Sequence, residues 1–393
     1  MLKKLLVIAM LSGTSPLFSK KIWYAPNQFQ AYGEEEIKAV SQCLRDGWLA
    51  GFGPKTIEFQ NEIAQLFGKK HALFVNSGSS ANLLALAVLG VGPGDEVITP
   101  ACTFATTVAP IIQLGATPIF CDVSIGKYVP DIETILPLIT PKTKCIMIPN
   151  LVGNKPDWEA LRSKTSLPLI EDSCDTITHT PETDISTTSF YSSHLITACG
   201  SGGMVMFNDK EMYKRAVMYR DWGRIGDNVE TMDERFNHKV DGIPYDFKFL
   251  YGAIGYNFKS SEVNAAFGLI QLKKLKKFRK IRRDLIERYL QNLKDTHYIL
   301  PDDSLKPDWL AFPLMTKKRL ELLYFLEENQ VQTRVTFAGN ITRHPAYRTY
   351  LQPFPNADHI MEEGFLLGAH HGMSIEDVDY VCNLLKNFDT ENN

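Results

Sequence analysis

Between Gly94 and Asp175 the chain alternates short apolar strands with helices: EVITPACTF, a helix to Leu114, ATPIFCDV, a helix from Asp131, then KCIMIPNLVG and LPLIEDSCD. Parallel strands need long crossover connections and must be covered on both faces, so this alternation predicts an α/β fold, a mainly parallel sheet with flanking helices. The prediction also locates the chemistry, because ligands of such sheets bind at the carboxyl ends of the strands. Phe104, Asp172 and Asp175 fall at or just after such ends, and so does His194.

Three stretches carry polar groups to that edge. In SFYSSHLITACGSGGM, Ser189 to Met204, His194 sits where two apolar runs meet, and its near-neutral pKa suits proton transfer. A satisfied histidine in a strand-to-turn corner is the simpler alternative. In NSGSSANLLALAV a strand runs through Gly78, Ser79 and Ser80 into an apolar helix, which leaves backbone N–H groups free for an anion such as phosphate. A plain serine N-cap explains the same residues. Asp172 follows LPLI at the edge of a buried sheet, so its carboxylate needs a positive or hydrogen-bonding partner, or else caps the next turn.

Around this core, EEEIKAVSQCLRDGW from Glu34 to Trp48 reads as an amphipathic helix with Ile37, Val40 and Leu44 at helical spacing. KTIEFQNEIAQLFG reads as a second helix, closed by Gly68. The stretch from Arg220 to Asn257 is loop-like, and SSEVNAAFGLIQLKKLKKFRKIRRDLIERYLQNL is one long helix with an apolar stripe through Phe267, Ile270, Leu272 and Leu275. These readings divide the chain into an N-terminal extension (1–25), a large domain including the long helix (26–295) and a smaller α+β domain (296–393), a division that a length of 393 residues accommodates.

The basic run from Lys273 to Arg283 belongs to a solvated helix face, because the net charge of −3 shows no basic excess that would predict nucleic acid. Seven cysteines without a CxxC pair argue for reduced thiols and a cytoplasmic setting, and against a zinc site or disulfide framework. His370 and His371 are adjacent, so they point apart on most backbones and no metal is expected. The start, MLKKLLVIAML, has the basic and apolar regions of a secretory signal, but SGTSPLFSKK lacks a small-x-small cleavage site, and the run is too short for an ordinary membrane span.

The set SGSSAN, PACTFATT, IEDSCD, SFYSSH and GYNFKSSEVNAAFG, in that order, resembles the DegT/DnrJ/EryC1/StrS family of pyridoxal-phosphate-dependent enzymes that modify nucleotide-linked sugars. The resemblance extends from about Pro26 to the C-terminal region and implies the fold-type I PLP-dependent transferase architecture. It further implies that Gly78 and Ser79 form the phosphate cradle, that Ser189 is a further phosphate donor, and that Phe104 stacks on the pyridine ring. Asp172 then keeps the pyridine nitrogen protonated, with Asp175 beside it. Asn257 reaches the phosphate of the other subunit's cofactor, which implies a homodimer with shared active sites.

One position departs from the aminotransferases of that family, where the counterpart of His194 is a lysine covalently linked to the cofactor. An imidazole cannot make that link. Histidine here, together with IEDSCD, GNITRHPAY and GAHHGMS, is similar to the branch that removes the C3 hydroxyl of nucleotide 4-keto-6-deoxysugars. That implies pyridoxamine phosphate as the reacting form of the cofactor, glutamate as amino donor and His194 as acid and base. One type in this branch uses an iron–sulfur cluster and carries cysteines around its RDWGR loop. The stretch from Tyr219 to Asn257 has none, so no cluster is expected. The glycine turn is one residue longer than the family pattern, and Ser201 stands where an acid is usual. An aminotransferase using another lysine, and a sugar-nucleotide-binding relative without catalysis, are the alternatives.

Overall fold

A computed structural model of the chain describes residues 20–26, 28–226 and 230–392; the signal-like start, residues 1–19, lies outside the described residues. Among the described residues no helix is long and apolar enough to cross a membrane.

Seven strands form the central sheet: β1 (His71–Val75), β2 (Glu96–Pro100), β3 (Thr117–Cys121), β4 (Thr143–Pro149), β5 (Leu169–Asp172), β6 (Ile185–Ser189) and β7 (Gly203–Phe207), in the order β1-β7-β6-β5-β4-β2-β3. Neighbours from β6 through β3 are parallel, and β7 alone runs antiparallel to both its neighbours. No helix intervenes between β6 and β7, so the chain doubles back. Strand β6 reads ISTTS, a polar run that apolar patterning does not reveal, yet all five residues are buried. Its hydroxyls are satisfied internally: Ser186 Oγ donates to Glu171 Oε2 at 2.7 Å, and Thr188 Oγ1 to the Ser173 carbonyl at 2.9 Å.

Helices α1 (Glu34–Asp46), α2 (Pro54–Phe67), α3 (Gly78–Val88), α4 (Ala105–Gln113), α5 (Glu262–Leu293) and α6 (Ile375–Asn392) include those expected from the sequence. Helix α2 ends at Gly68 with φ 70°, the left-handed C-cap for which glycine is suited. The α1 stripe behaves differently from its pattern. Its buried residues are Glu36 and Cys43, whereas Ile37 and Leu44 are exposed. Glu36 is held by Lys274 at 2.7 Å and Gln271 at 2.8 Å, so an ion pair, not the apolar stripe, docks α1 on α5. On α5 itself Leu269 is buried and Ile270 only half-buried.

The stretch from Arg220 to Asn257 is also more ordered than a loop. It holds a short helix, Met232–Phe236, and a hairpin of β8 (His238–Val240) and β9 (Ile243–Tyr245). Asp241 and Gly242 turn it with φ 51° and 84°, the positive pair of a tight two-residue hairpin, and the Asp-Gly dipeptide was the signal for it.

After α5, strands β10 (Phe312–Met315), β11 (Arg334–Val335) and β12 (Gly364–Leu367) form a small antiparallel sheet in the order β10-β12-β11. One apolar cluster joins Ala101, Val108 and Phe120 beside the large sheet to Leu285 and Tyr289 of α5 and Phe312 and Leu366 of the small sheet. The N-terminal segment also packs here: Ile22 N–H donates to the Gln330 carbonyl at 2.9 Å, and Gln332 N–H to the Ile22 carbonyl at 2.8 Å.

Candidate active site

A cavity of about 510 Å³ opens at the carboxyl ends of β4, β5 and β6, and the small sheet forms its opposite wall. Gly78, Ser79, Phe104, Asp172, Asp175, Ser189 and His194 all line it. Asn257 does not: it is exposed and bridges backbone to backbone with Asp221.

At one end, α3 presents its N-terminus. The serine cap expected as the simpler reading is present there, and it leaves other backbone donors of the first turn free. Ser77 is the cap, its Oγ accepting from Ser80 N–H at 3.1 Å. The N–H groups of Gly78 and Ser79 have no acceptor among the described residues, which is the arrangement that binds a phosphate. A Cβ at Gly78 would stand 2.7 Å from both Cys174 Sγ and Ser189 Cβ, so only glycine lets the helix start so close to β6. Ser189 Oγ accepts from Tyr191 N–H at 3.2 Å, which leaves its own proton free to donate.

On the cavity floor, Asp172 is 5% exposed. Its Oδ2 accepts from Asn82 Nδ2 and from Thr107 Oγ1, each at 2.8 Å, and Oδ1 has only a 3.3 Å contact from Cys174 N–H. Oδ1 is therefore the oxygen with spare acceptor capacity. Asn82 is itself fixed, its Oδ1 accepting from Thr187 Oγ1 at 2.6 Å. Asn82 and Thr107 were missed as site residues; a polar Asn inside the apolar helix SGSSANLLALAV was the available signal. Strand alternation sends Glu171 to the other face, where Asn150, Thr178, Thr180 and Ser186 donate to it and lock the strand.

His194 follows β6 after a turn, with its N–H on the Tyr191 carbonyl at 3.0 Å. Its pKa is pushed down to about 4, first by burial, with the Ser189 backbone opposing and the Arg282 charge adding. The imidazole is thus neutral near pH 7. Its Nδ1 is buried without a hydrogen-bond partner among the described residues. Asp175 accepts from Val152 N–H at 2.8 Å, and burial pushes its carboxyl up to about 7, with Asp172 adding to the rise. Phe104 is the residue before α4, 52% exposed, and meets Phe337 edge-to-face at 6.2 Å. The glycine turn behind His194 has left-handed backbone at Cys199, Gly200 and Gly202, and Ser201 between them is exposed.

The paired histidines near the C-terminus lie outside the cavity lining. His370 is 1% exposed, with Nε2 on the Trp23 carbonyl at 3.0 Å and Nδ1 accepting from Gly372 N–H at 3.1 Å. His371 stacks on Phe278 at 3.8 Å. Burial, with Arg282 adding, pushes the His370 pKa down to about 3. The unfolded chain binds a proton there near pH 6.5 and the folded one does not. Stability through His370 is therefore complete above pH 6.5 and is lost progressively as pH falls toward 3, by up to about 1.4 kcal/mol per pH unit. Asp175 works in the opposite sense, weakening the cofactor-free fold as pH rises from about 4 to 7. Urea unfolding of the His370→Gln protein is expected to show a shallower loss of stability between pH 6 and 4 than the parent.

Comparison with known proteins places this geometry. The DegT/DnrJ/EryC1/StrS aminotransferase family pattern matches residues 30–386. The lipopolysaccharide biosynthesis protein RfbH of Salmonella typhimurium is 36% identical, over 92% of this chain and 91% of its own length. The dTDP-4-dehydro-2,6-dideoxy-D-glucose 3-dehydratase of Saccharopolyspora spinosa is 33% identical, over 90% and 84%. Among solved structures, the E. coli GDP-4-keto-6-deoxy-D-mannose-3-dehydratase with bound hydrated PLP superimposes with a TM-score of 0.82 at 26% identity, covering 93% of this chain and 100% of that one. The chain belongs to the DegT/DnrJ/EryC1/StrS aminotransferase family, enzymes of the PLP-dependent aminotransferase fold.

Proposed function

We propose that the chain is a 3-dehydratase that removes the C3 hydroxyl of a nucleotide-linked 4-keto-6-deoxyhexose in cytoplasmic deoxysugar biosynthesis, with glutamate as amino donor. The observation that carries this reading is the cavity lining: His194 lines it, and no lysine does among the described residues. A tethered aldehyde needs a primary amine, which this wall does not offer.

The donor set fits the cofactor. Gly78 and Ser79 N–H and the Ser189 hydroxyl would hold the phosphate, Phe104 would pack on the ring, and Asp172 Oδ1 would keep the ring nitrogen protonated. When bound, pyridoxamine phosphate supplies the amine that joins the sugar ketone and the ring that accepts electrons. His194, neutral at pH 7, takes the proton from C4′ and then, as imidazolium, returns it to the departing C3 hydroxyl. Asn82 and Thr107 keep Asp172 aimed at the ring throughout. Overall, glutamate and the sugar give 2-oxoglutarate, ammonia and a 3-deoxy-4-keto sugar, so the oxygen leaving C3 is matched by the two electrons glutamate gives up.

The active form in this reading is a homodimer with shared active sites. Ile37, Leu44 and Trp48 leave an apolar face uncovered in one protomer, and Asn257 lies outside its own chain's cavity, free to serve a second one. The test is borohydride treatment of the pyridoxal form followed by peptide mass analysis. No lysine adduct is expected, and a trapped adduct would move the assignment to an aminotransferase.

A further inference from the structure

Both halves of the cavity are mounted on helix α5. Its first turns hold the segment that carries His194: Asn264 Nδ2 donates to the Ala198 carbonyl at 2.7 Å, and Gln271 Oε1 accepts from Thr197 N–H at 3.4 Å. Phe278 then packs in one apolar cluster with Leu195 and Ile196. One turn beyond Phe278, on the same side of the helix, stands Arg282, which is 3% exposed. Its Nη1 donates to the Leu310 carbonyl at 2.8 Å and to the Ala369 carbonyl at 3.3 Å, just before β10 and just after β12. Leu310 belongs to the cavity wall. Its N–H donates to the Val152 carbonyl at 2.8 Å, and Val152 N–H donates to Asp175 Oδ2 at 2.8 Å. A hydrogen-bonded path thus runs from the guanidinium, through the backbone of two residues, to a carboxyl in the cavity.

The charge of Arg282 has no counter-ion in contact. Its Nε and Nη2 are buried without an acceptor among the described residues, and Asp308, whose charge it feels, pairs instead with Arg279 Nε at 2.8 Å. The other titratable groups in its field are Tyr24 of the N-terminal segment, His370 and His371 after β12, and His194 after β6. Burying a cation unpaired is costly, so packing alone gives no reason for it. The two carbonyls call for a donor, but a neutral amide would supply one without the charge. What the charge does is oppose a proton on the His194 imidazole, in the same sense as burial. Asp172, Asp175 and Arg334 line the cavity that His194 faces.

We infer that Arg282 is a positioning residue of the dehydration: from inside α5 it fixes the Leu310 wall and the Asp175 carboxyl relative to the His194 turn, and it places a permanent positive charge behind the His194 imidazole. The inference rests on the proposed function, in which His194 must begin as a base. A fixed cation behind the ring keeps it in that form, and the imidazolium made by taking the C4′ proton is then quick to give the proton up to the departing hydroxyl.

The first readout needs no substrate. The pyridoxal form of the holoenzyme, labelled with carbon-13 at histidine, is titrated by NMR, with His194→Asn assigning the resonance. In the parent the His194 signal is expected to stay in its neutral position down to about pH 5. Arg282→Gln keeps an amide donor for the carbonyls and drops the charge; losing a positive neighbour favours the protonated ring, so its midpoint should rise by roughly one pH unit. Arg282→Lys keeps the charge and should stay near the parent. The second readout is dehydration of a 4-keto-6-deoxyhexose nucleotide by the pyridoxamine form. Arg282→Gln is expected to lower kcat about 10- to 100-fold with KM within about threefold of the parent, since misplaced reacting groups cost rate more than binding. Arg282→Lys should recover part of it. An unchanged midpoint in Arg282→Gln, or an equal loss of rate in both variants, overturns the inference. Should Arg282→Gln not fold, the parent and Arg282→Lys decide: midpoints below about 5 in both support it, and a midpoint near the ordinary histidine value of about 6.5 in either overturns it. An aminated sugar from the parent would instead overturn the dehydratase reading, and the titration would still decide the placement of the charge.

Discussion

Replacing His194 with asparagine is expected to lower dehydration by about 10³-fold or more while the protein still binds its cofactor, because a positioned acid–base group contributes roughly 10²–10⁴-fold. The proposed reading separates these two roles. In the proposed function the phosphate, ring face and ring nitrogen would be addressed by Gly78, Ser79, Ser189, Phe104 and Asp172, which line the cavity with His194, and His194 is given none of these contacts. Asparagine is polar and similar in reach, so the cavity keeps its shape, but an amide has no proton to exchange near pH 7. The glutamate half-reaction and the dehydration are best measured separately by stopped-flow absorbance. Full retained turnover would remove His194 from the chemistry.

The isosteric substitution Asp172→Asn is expected to cost turnover about 10²- to 10⁴-fold with little effect on folding, since placed charge at a reacting centre is worth several kcal/mol. Its cause is specific to the two neighbours. Asn82 and Thr107 both donate to Oδ2, so an amide there turns its oxygen toward them and its NH₂ toward the cavity. A donor then faces the ring nitrogen where a carboxylate stood, and favours the unprotonated ring. The absorbance of the bound cofactor should shift accordingly, and thermal unfolding should stay near the parent value. Asn82→Ala should produce a smaller loss, because Thr107 still holds Asp172.

Legibility differed by the kind of signal. The parallel sheet was readable because its strands are apolar on both faces and separated by helices of ordinary length. Strand β6 was not, because its buried threonines and serines are satisfied by partners remote in sequence, such as Asn82 and Glu171. The α1 stripe misled for a related reason: an ion pair between Glu36 and Lys274 fixes which face of α1 meets α5 and turns Ile37 and Leu44 outward. At the site, Gly78, Asp172 and His194 stood at strand ends and could be picked out singly. Tyr24, Arg334 and Phe337 could not, because the N-terminal segment and the small sheet bring them to the cavity from outside the run of strands that builds its floor, and no local pattern encodes that return.

The most direct measurement is the mass of the sugar nucleotide recovered after incubation of the holoenzyme with a nucleotide-linked 4-keto-6-deoxyhexose and glutamate. A product that has lost the oxygen of C3, formed together with ammonia and 2-oxoglutarate, is the expected result. A product that keeps that oxygen and carries nitrogen at C4 would contradict the role given to His194 and identify the chain as an aminotransferase.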